Sequence, residues 1–209
     1  KKLIVVVKGF NLATWKKRIK HKKYAFSECF NLIKAHSLGI KTPEVYGLGY
    51  GVKNGCVEWT AAIIEYFPFS SMRDAFLKNP SEQQVWNYLL RSIPSLKKLY
   101  LGGCNHVDFG PHAIMLSPDD SGEYDPLIDF QYASFLPAPS ANNAAFLLGY
   151  FGWSIGTNRK WVSSSIRDQW YQLVLENLEI PFTQTIEKII RNNERERRSL
   201  KERLKGYPE

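Results

Sequence analysis

The chain lacks any run of about 18 apolar residues, so no segment of it is expected to span a membrane. Its start, Lys1-Lys2 followed by a brief β-branched run, is too short and wrongly flanked for a secretory signal, which makes the cytoplasm the expected compartment. Cysteine is scarce: Cys29, Cys56 and Cys104 are odd in number and scattered, arguing against both a disulfide framework and a zinc site. Internal repeats and long low-complexity linkers are missing as well. Acidic residues are outnumbered, 20 against 28 Lys and Arg, for a formal charge of +8. Such an excess favours anionic partners, namely nucleotide phosphates, nucleic acid or an acidic membrane surface, without choosing among them.

What remains is a chain of 209 residues with 44% hydrophobic content, enough for a real core in one domain or two small lobes. Residues 3 to 8 read as a strand with Ile4, Val6 and Lys8 on one face, so that Lys8 can reach a phosphate or simply point to water. The densest basic block, Trp15 to Lys23, is either a solvated face or a contact surface for acidic lipid or a phosphorylated substrate. From Tyr24 to Leu38 the apolar positions follow a helical period that Gly39 stops, and Glu28 lies near its start. If this helix packs on the first strand, Glu28 can pair with Lys8 and hold the ammonium toward phosphates.

Residues 43 to 52 and 56 to 67 read as two strands joined by a hairpin, because Asn54-Gly55 readily adopts the positive φ of a tight turn. The end of the second strand is expected to connect two lobes, with the Glu65 carbonyl and the Phe67 N–H facing an adenine edge. Ser70 or Ser71 offers a helix cap. Ser81 opens a long helix to Tyr100, in which Pro94 predicts a kink or local break. Later helices are expected over 141 to 155 and 163 to 178. The alternating charges of 181 to 205 predict a solvated terminal helix.

The chemistry concentrates in His106-Val107-Asp108, followed by a short apolar strand at 114 to 116, a turn-rich gap from Ser117 to Pro126, and Leu127-Ile128-Asp129-Phe130. Two apolar segments each deliver an aspartate. Phosphoryl transfer needs that pair: Asp108 to accept or orient the proton of an acceptor hydroxyl, and Asp129 to hold a magnesium ion against nucleotide phosphates. The bland alternative makes His106 and Asp108 ordinary loop polars and Asp129 a strand-end residue.

These residues resemble the protein-kinase-like fold and, within it, the bacterial lipopolysaccharide kinase family of core heptose and 3-deoxy-D-manno-octulosonic acid (Kdo) kinases. The similarity covers roughly residues 3 to 135. Its more selective parts are the Val-Val-Val-Lys8 strand, Ser27-Glu28-Cys29-Phe30-Asn31-Leu32, and Leu38-Gly39-Ile40-Lys41-Thr42-Pro43-Glu44. The resemblance implies ATP and Mg2+ as cofactors, Lys8 on the phosphates with Glu28 as its partner, Asp108 as base, Asp129 as metal ligand, and His106 organising the loop. It also implies an α+β, two-lobed fold: residues 1–67 as a small antiparallel sheet lobe that begins almost at its lysine strand and is apparently truncated, and residues 68–209 as a mainly helical lobe.

Ala113 stands where most kinase-like enzymes carry an asparagine for a second magnesium, which suggests single-metal chemistry or help from His112. Gln131 replaces the glycine of Asp-Phe-Gly, Val107 the arginine of His-Arg-Asp, and no Ala-Pro-Glu segment follows Asp129. The expected partners are therefore a nucleotide and an acidic glycolipid or sugar acceptor, with peripheral contact to an anionic inner membrane. The alternatives are another small-molecule phosphotransferase and a nucleotide-binding module without turnover. Nucleic acid is not expected, since no recognised module accompanies the basic block.

Overall fold

The computed structural model describes residues 4–204. Strand β1 (Val5–Asn11) begins an antiparallel sheet of order β1-β3-β2, completed by β2 (Val45–Lys53) and β3 (Cys56–Glu65). Asn54 and Gly55 take the left-handed φ values of 50° and 75° that the two-residue hairpin turn requires, so the β2–β3 register follows from local sequence. β1 runs past Lys8 to Asn11, which leaves Lys8 mid-strand, paired in register with Ala62, and Val6 opposite Ile64.

Between β1 and β2 the chain forms α1 (Trp15–Ile19), capped by Thr14, and then α2 (Ala25–Ser37). Helix α2 buries Ala25, Glu28, Cys29, Leu32 and Ala35, a 3–4 spacing that lays one stripe on the sheet and carries a carboxylate into the interior with it.

The rest is mainly helical. Ser71 closes a reciprocal capping box with Asp74 at the start of α3 (Met72–Phe76), and Ser81 does the same with Gln84 for α4 (Glu82–Leu101). Of the kink or local break expected at Pro94, the break does not occur: α4 is continuous through it. Proline removes one backbone bond, but the flanking Leu89, Ile93 and Leu96 are buried, and Trp170 Nε1 ties the Leu89 carbonyl at 3.0 Å. A two-residue strand β4 (Cys104–Asn105) pairs with β5 (Ser134–Phe135). The apolar segment at 114 to 116 forms isolated bridges, Ile114 to Leu127 and Met115 to Ser71, and not a strand.

Helix α5 (Ala141–Gly152) is buried nearly all round and continues into a π-helical turn at Trp153–Thr157. Next come α6 (Ser164–Asn177), α7 (Gln184–Arg195) and α8 (Leu200–Arg203). Gly149 lets α5 approach α7 closely, since a Cβ there would lie 2.5 Å from the Ile190 carbonyl oxygen. Residues 181–204 are thus not one solvated helix. Alternating charges hide an apolar stripe of Ile186 and Ile190 that continues into buried Asn193 and Glu194, and Glu194 is neutralised by Arg167 Nε at 2.5 Å. α7 ends where Glu196 turns extended, and the chain folds back so that Arg203 is buried.

The three thiols are free, and burial pushes Cys104 up to about 12, which keeps it protonated and inert. Among the described residues no helix is long and apolar enough to cross a membrane.

Candidate active site

Strand β1 and helix α2 bring two of the sequence-nominated residues into contact, and the loop after β4 brings the others alongside. Lys8 Nζ donates to Glu28 Oε2 at 2.9 Å and to Asp129 Oδ1 at 2.6 Å, bridging carboxylates that lie 101 positions apart in the chain. Glu28 is 1% exposed, and its other oxygen accepts from the Phe130 N–H at 3.3 Å. Burial alone would lower the Lys8 pKa, but the flanking Glu28 and Asp129 charges outweigh it and hold the ammonium above the ordinary lysine value. Glu28 is pushed up by its burial, which Lys8 offsets only in part.

Asp129 occupies the left-handed region at φ 69°, tolerable for aspartate and uncommon outside special sites. Two anchors fix it there. Asn31 on α2 donates to the Phe130 carbonyl at 2.8 Å and the Ala133 carbonyl at 2.9 Å, while Phe130, fully buried, meets the His106 ring edge-on at 4.6 Å. His106 Nε2 lies 2.9 Å from the Ile128 carbonyl, which requires the proton on that nitrogen and leaves buried Nδ1 without a partner among the described residues. Burial therefore holds His106 below the usual histidine range and neutral, and it does the same to half-buried His112.

Both imidazoles bind a proton more readily in the unfolded chain. Stability should accordingly be full above the ordinary value of 6.5 and decline as pH falls below it. Denaturant titrations at pH 7.5 and 5.5 should show this loss, and His112→Gln should make it smaller. An equal loss in both proteins would remove His112 from the effect.

Asp108 is engaged chiefly from the C-terminal segment. Arg203, 4% exposed, donates through Nη1 to Asp108 Oδ1 and to the Val107 carbonyl at 2.9 Å, with Asn105 Nδ2 holding the Arg203 carbonyl at 3.0 Å. The Tyr150 hydroxyl donates to the same Oδ1 at 3.1 Å, and Arg197 approaches it at 3.5 Å. Partial burial would raise Asp108, but Arg203 prevails and holds the carboxyl below its ordinary value. Among the described residues these contacts all fall on Oδ1.

Two cavities meet here. One, of about 450 Å³, is lined by Val6, Lys8, Glu28, Ile64, Met115 and Ile128, with residues 65–67 and Phe69 along its rim; Phe67 and Phe69 stack at 5.8 Å. The other, of about 270 Å³, contains Asp108, Tyr150, Trp153 and Ser154 with Arg73, Arg159 and Arg197. His112 and Asp129 line both. Lys8, Glu28, Glu65, Phe67 and Asp129 thus share the first cavity, Asp108 and Asp129 the second, and buried His106 lines neither.

Asp129, exposed to 40% at the junction, suits a magnesium ion, which is commonly held by one or two carboxylates and completed by phosphates and water. Ala113 adds no ligand atom, and neutral His112 is the adjacent nitrogen donor. Arg203, Arg197, Tyr150 and Asn31 escaped the sequence reading. Asn31 lies in the 27 to 32 segment with no role of its own to read there, Tyr150 passes for one more core residue of an apolar helix, and the two arginines sit in the charge run that resembles a solvated helix.

No protein-family model matches the chain, and no curated protein does. Solved structures do match in shape. They include "WaaP in complex with acyl carrier protein" (TM-score 0.51, 14% identity, 96% of this chain and 73% of that one). A crystal structure of WbdD, described elsewhere as a bifunctional kinase-methyltransferase, gives TM-score 0.51 at 17% identity over 91% of this chain and 46% of that one. A divergent kinase lacking the glycine-rich loop, which regulates membrane ultrastructure of the Toxoplasma parasitophorous vacuole, gives TM-score 0.50 at 15% identity, covering 97% of this chain and 71% of that one. At such identities the likeness is one of fold: a kinase-like architecture with a small antiparallel sheet and a mainly helical region.

Proposed function

We propose that this chain, which has the protein-kinase-like fold, is an ATP-dependent phosphotransferase acting on a hydroxyl of a lipopolysaccharide inner-core sugar. The observation that carries the reading is the junction: a largely apolar cleft and a polar cavity meet at Asp129, with Lys8 and Glu28 on one side and Asp108 on the other. A nucleotide needs the first, with apolar walls for a base and a cation for phosphates. An acceptor hydroxyl needs the second.

In this reading the division falls near residue 67, and the connector from Glu65 to Phe67 borders the adenine. Lys8 exchanges its Asp129 contact for a phosphate while Glu28 keeps it aimed. Magnesium, when bound at Asp129, neutralises charge on the phosphate oxygens. Asp108, its Oδ1 occupied by Arg203 and Tyr150, offers Oδ2 to orient the acceptor hydroxyl toward the terminal phosphate and take its proton as the new O–P bond forms and the P–O bond to the departing ADP breaks. A carboxylate of low basicity suffices, because a loose transition state asks chiefly for positioning. Neutral His106 serves as a strut that keeps the Asp108 and Asp129 loops in register.

The acceptor assignment draws on the chain's +8 charge, the arginine-lined cavity and the motif resemblance. A cationic acceptor such as an aminoglycoside is disfavoured by the same arginines. A module that binds nucleotide without turnover is the second reading, favoured by Ala113 and by the direct Lys8–Asp129 ion pair. Peripheral contact with an anionic inner membrane is assigned to the exposed basic block around α1, with Trp15 and Ile19 alongside.

Calorimetric titration of ATP with and without magnesium tests the reading. Magnesium should tighten binding, and Asp129→Ala should remove at least about tenfold of that gain. Magnesium-independent binding in the parent chain, with no transfer to inner-core acceptor, would leave the second reading in its place.

A further inference from the structure

We propose that the cavity beside Asp108 is a subsite for an anionic group on the acceptor, a sugar carboxylate or phosphate, gripped by Arg73 and Arg159 and bounded by Arg197. This rests on the phosphotransferase reading and specifies what lies next to the hydroxyl that reacts. The charge balance of the cavity carries it. Its two carboxylates are already matched by cations that do not line it: Asp129 by Lys8 at 2.6 Å, and Asp108 by buried Arg203.

Arg73 and Arg159 make no salt bridge among the described residues, and Arg197 reaches Asp108 only at 3.5 Å. The cavity thus faces an incoming molecule with a surplus of positive charge immediately beside its catalytic carboxylate. Surplus guanidinium groups lining a concavity of about 270 Å³ match a partner that brings negative charge of its own.

Two of the three arginines are also braced by aromatic rings. Arg159 Cζ lies 5.9 Å from the Trp161 ring centre, and Arg197 Cζ 5.9 Å from that of Trp153. An aromatic face holds a guanidinium at little cost to its N–H groups, which stay free for the two-pronged recognition that carboxylate and phosphate share. Arg73 is set by the first turn of α3, whose start is locked by the Ser71–Asp74 capping box. The terminal phosphate of the nucleotide is a poorer candidate for these groups, because neither Arg73 nor Arg159 lines the cleft that holds Lys8 and Glu28.

Calorimetry separates the possibilities with three preparations of lipopolysaccharide inner-core oligosaccharide: intact, dephosphorylated and carboxyl-reduced. The intact form should bind, and one of the two treatments should weaken it at least about tenfold, identifying phosphate or carboxylate as the group held. Arg73→Gln combined with Arg159→Gln should weaken the intact form by a similar factor, with the thermal midpoint and the affinity for magnesium-ATP held within about twofold of the parent. Failure of the intact form to bind, equal binding of all three forms, or a loss confined to nucleotide affinity would overturn the subsite. A chain that discriminates the three forms yet fails to bind magnesium-ATP would instead overturn the phosphotransferase reading and leave the subsite standing.

Discussion

Asp108→Asn should reduce phosphoryl transfer by about 10²–10⁴-fold while leaving magnesium-ATP affinity within about twofold of the parent. The amide keeps the shape and the hydrogen-bonding reach of the carboxylate but cannot take a proton from the acceptor hydroxyl. Nucleotide affinity is spared because Asp108 lines the polar cavity and not the apolar cleft. The acceptor KM should move little, so that the loss appears in kcat, as expected for a contact that matters chiefly in the transition state. Full activity in this variant would remove Asp108 from the chemistry.

The second large effect concerns the cation behind that carboxylate. Arg203→Met keeps much of the side-chain volume but leaves Asp108 with the Tyr150 hydroxyl and, as its remaining cation, the more distant Arg197, and removing one partner of a buried ion pair commonly costs ~3–5 kcal/mol. Asp108 is 22% exposed, so the low end, about 3 kcal/mol, is expected in denaturant unfolding. Activity separates a positioning role from a merely structural one. With Arg203 in place the Asp108 pKa lies below its ordinary value, and the pair holds across neutral and mildly acid pH, failing only as pH drops through the lowered value. Without it the acid limb of the kcat profile should move to higher pH, a change that loss of stability alone would not produce. Arg203→Lys should restore much of the charge effect but not the bond to the Val107 carbonyl, giving an intermediate profile. An acid limb that stays put in both variants would make Arg203 a packing residue only.

How much of this could be read from the chain depends on the range of the physics. Asp108 and Asp129 stood out by spacing, two apolar segments each delivering an aspartate across a turn-rich gap, and Lys8 and Glu28 gained meaning only beside them, since alone they read as a strand-end lysine and a surface carboxylate. The hairpin at Asn54-Gly55, the cap at Ser81 and the stop at Gly39 were legible because turn and cap chemistry is local, and the same chemistry narrowed the other cap to Ser70 or Ser71, of which Ser71 caps α3. Asn31 was not, since an asparagine on a helix acquires meaning only from carbonyls about a hundred positions away. Arg203 was concealed differently: residues 191 to 203 have the composition of a solvated face, and one buried guanidinium among nine charged residues has no local signature. Pro94 was legible only in part: the local rule allowed a kink or a break, and with Leu89, Ile93 and Leu96 buried around it the helix is not broken.

The strand order β1-β3-β2 has a further effect, on how copies of this chain treat one another. Both β1 and β2 are rim strands of a three-stranded sheet, each with one side of its backbone unpaired among the described residues. On β1 the side chains beside that open ladder include Val7 at 62% exposure, while β2 carries exposed Tyr50 and alternates it with Gly47, Gly49 and Gly51. Each rim is guarded only in places: β1 by the inward charge of Lys8, and β2 by register shifts at Val45/Gly47 and Gly51/Val52 and by Lys53 at its end. The basic surplus of +8 is then also a colloidal safeguard: it keeps copies apart at low ionic strength, and as salt screens it the rims become the sites at which intermolecular sheets would nucleate.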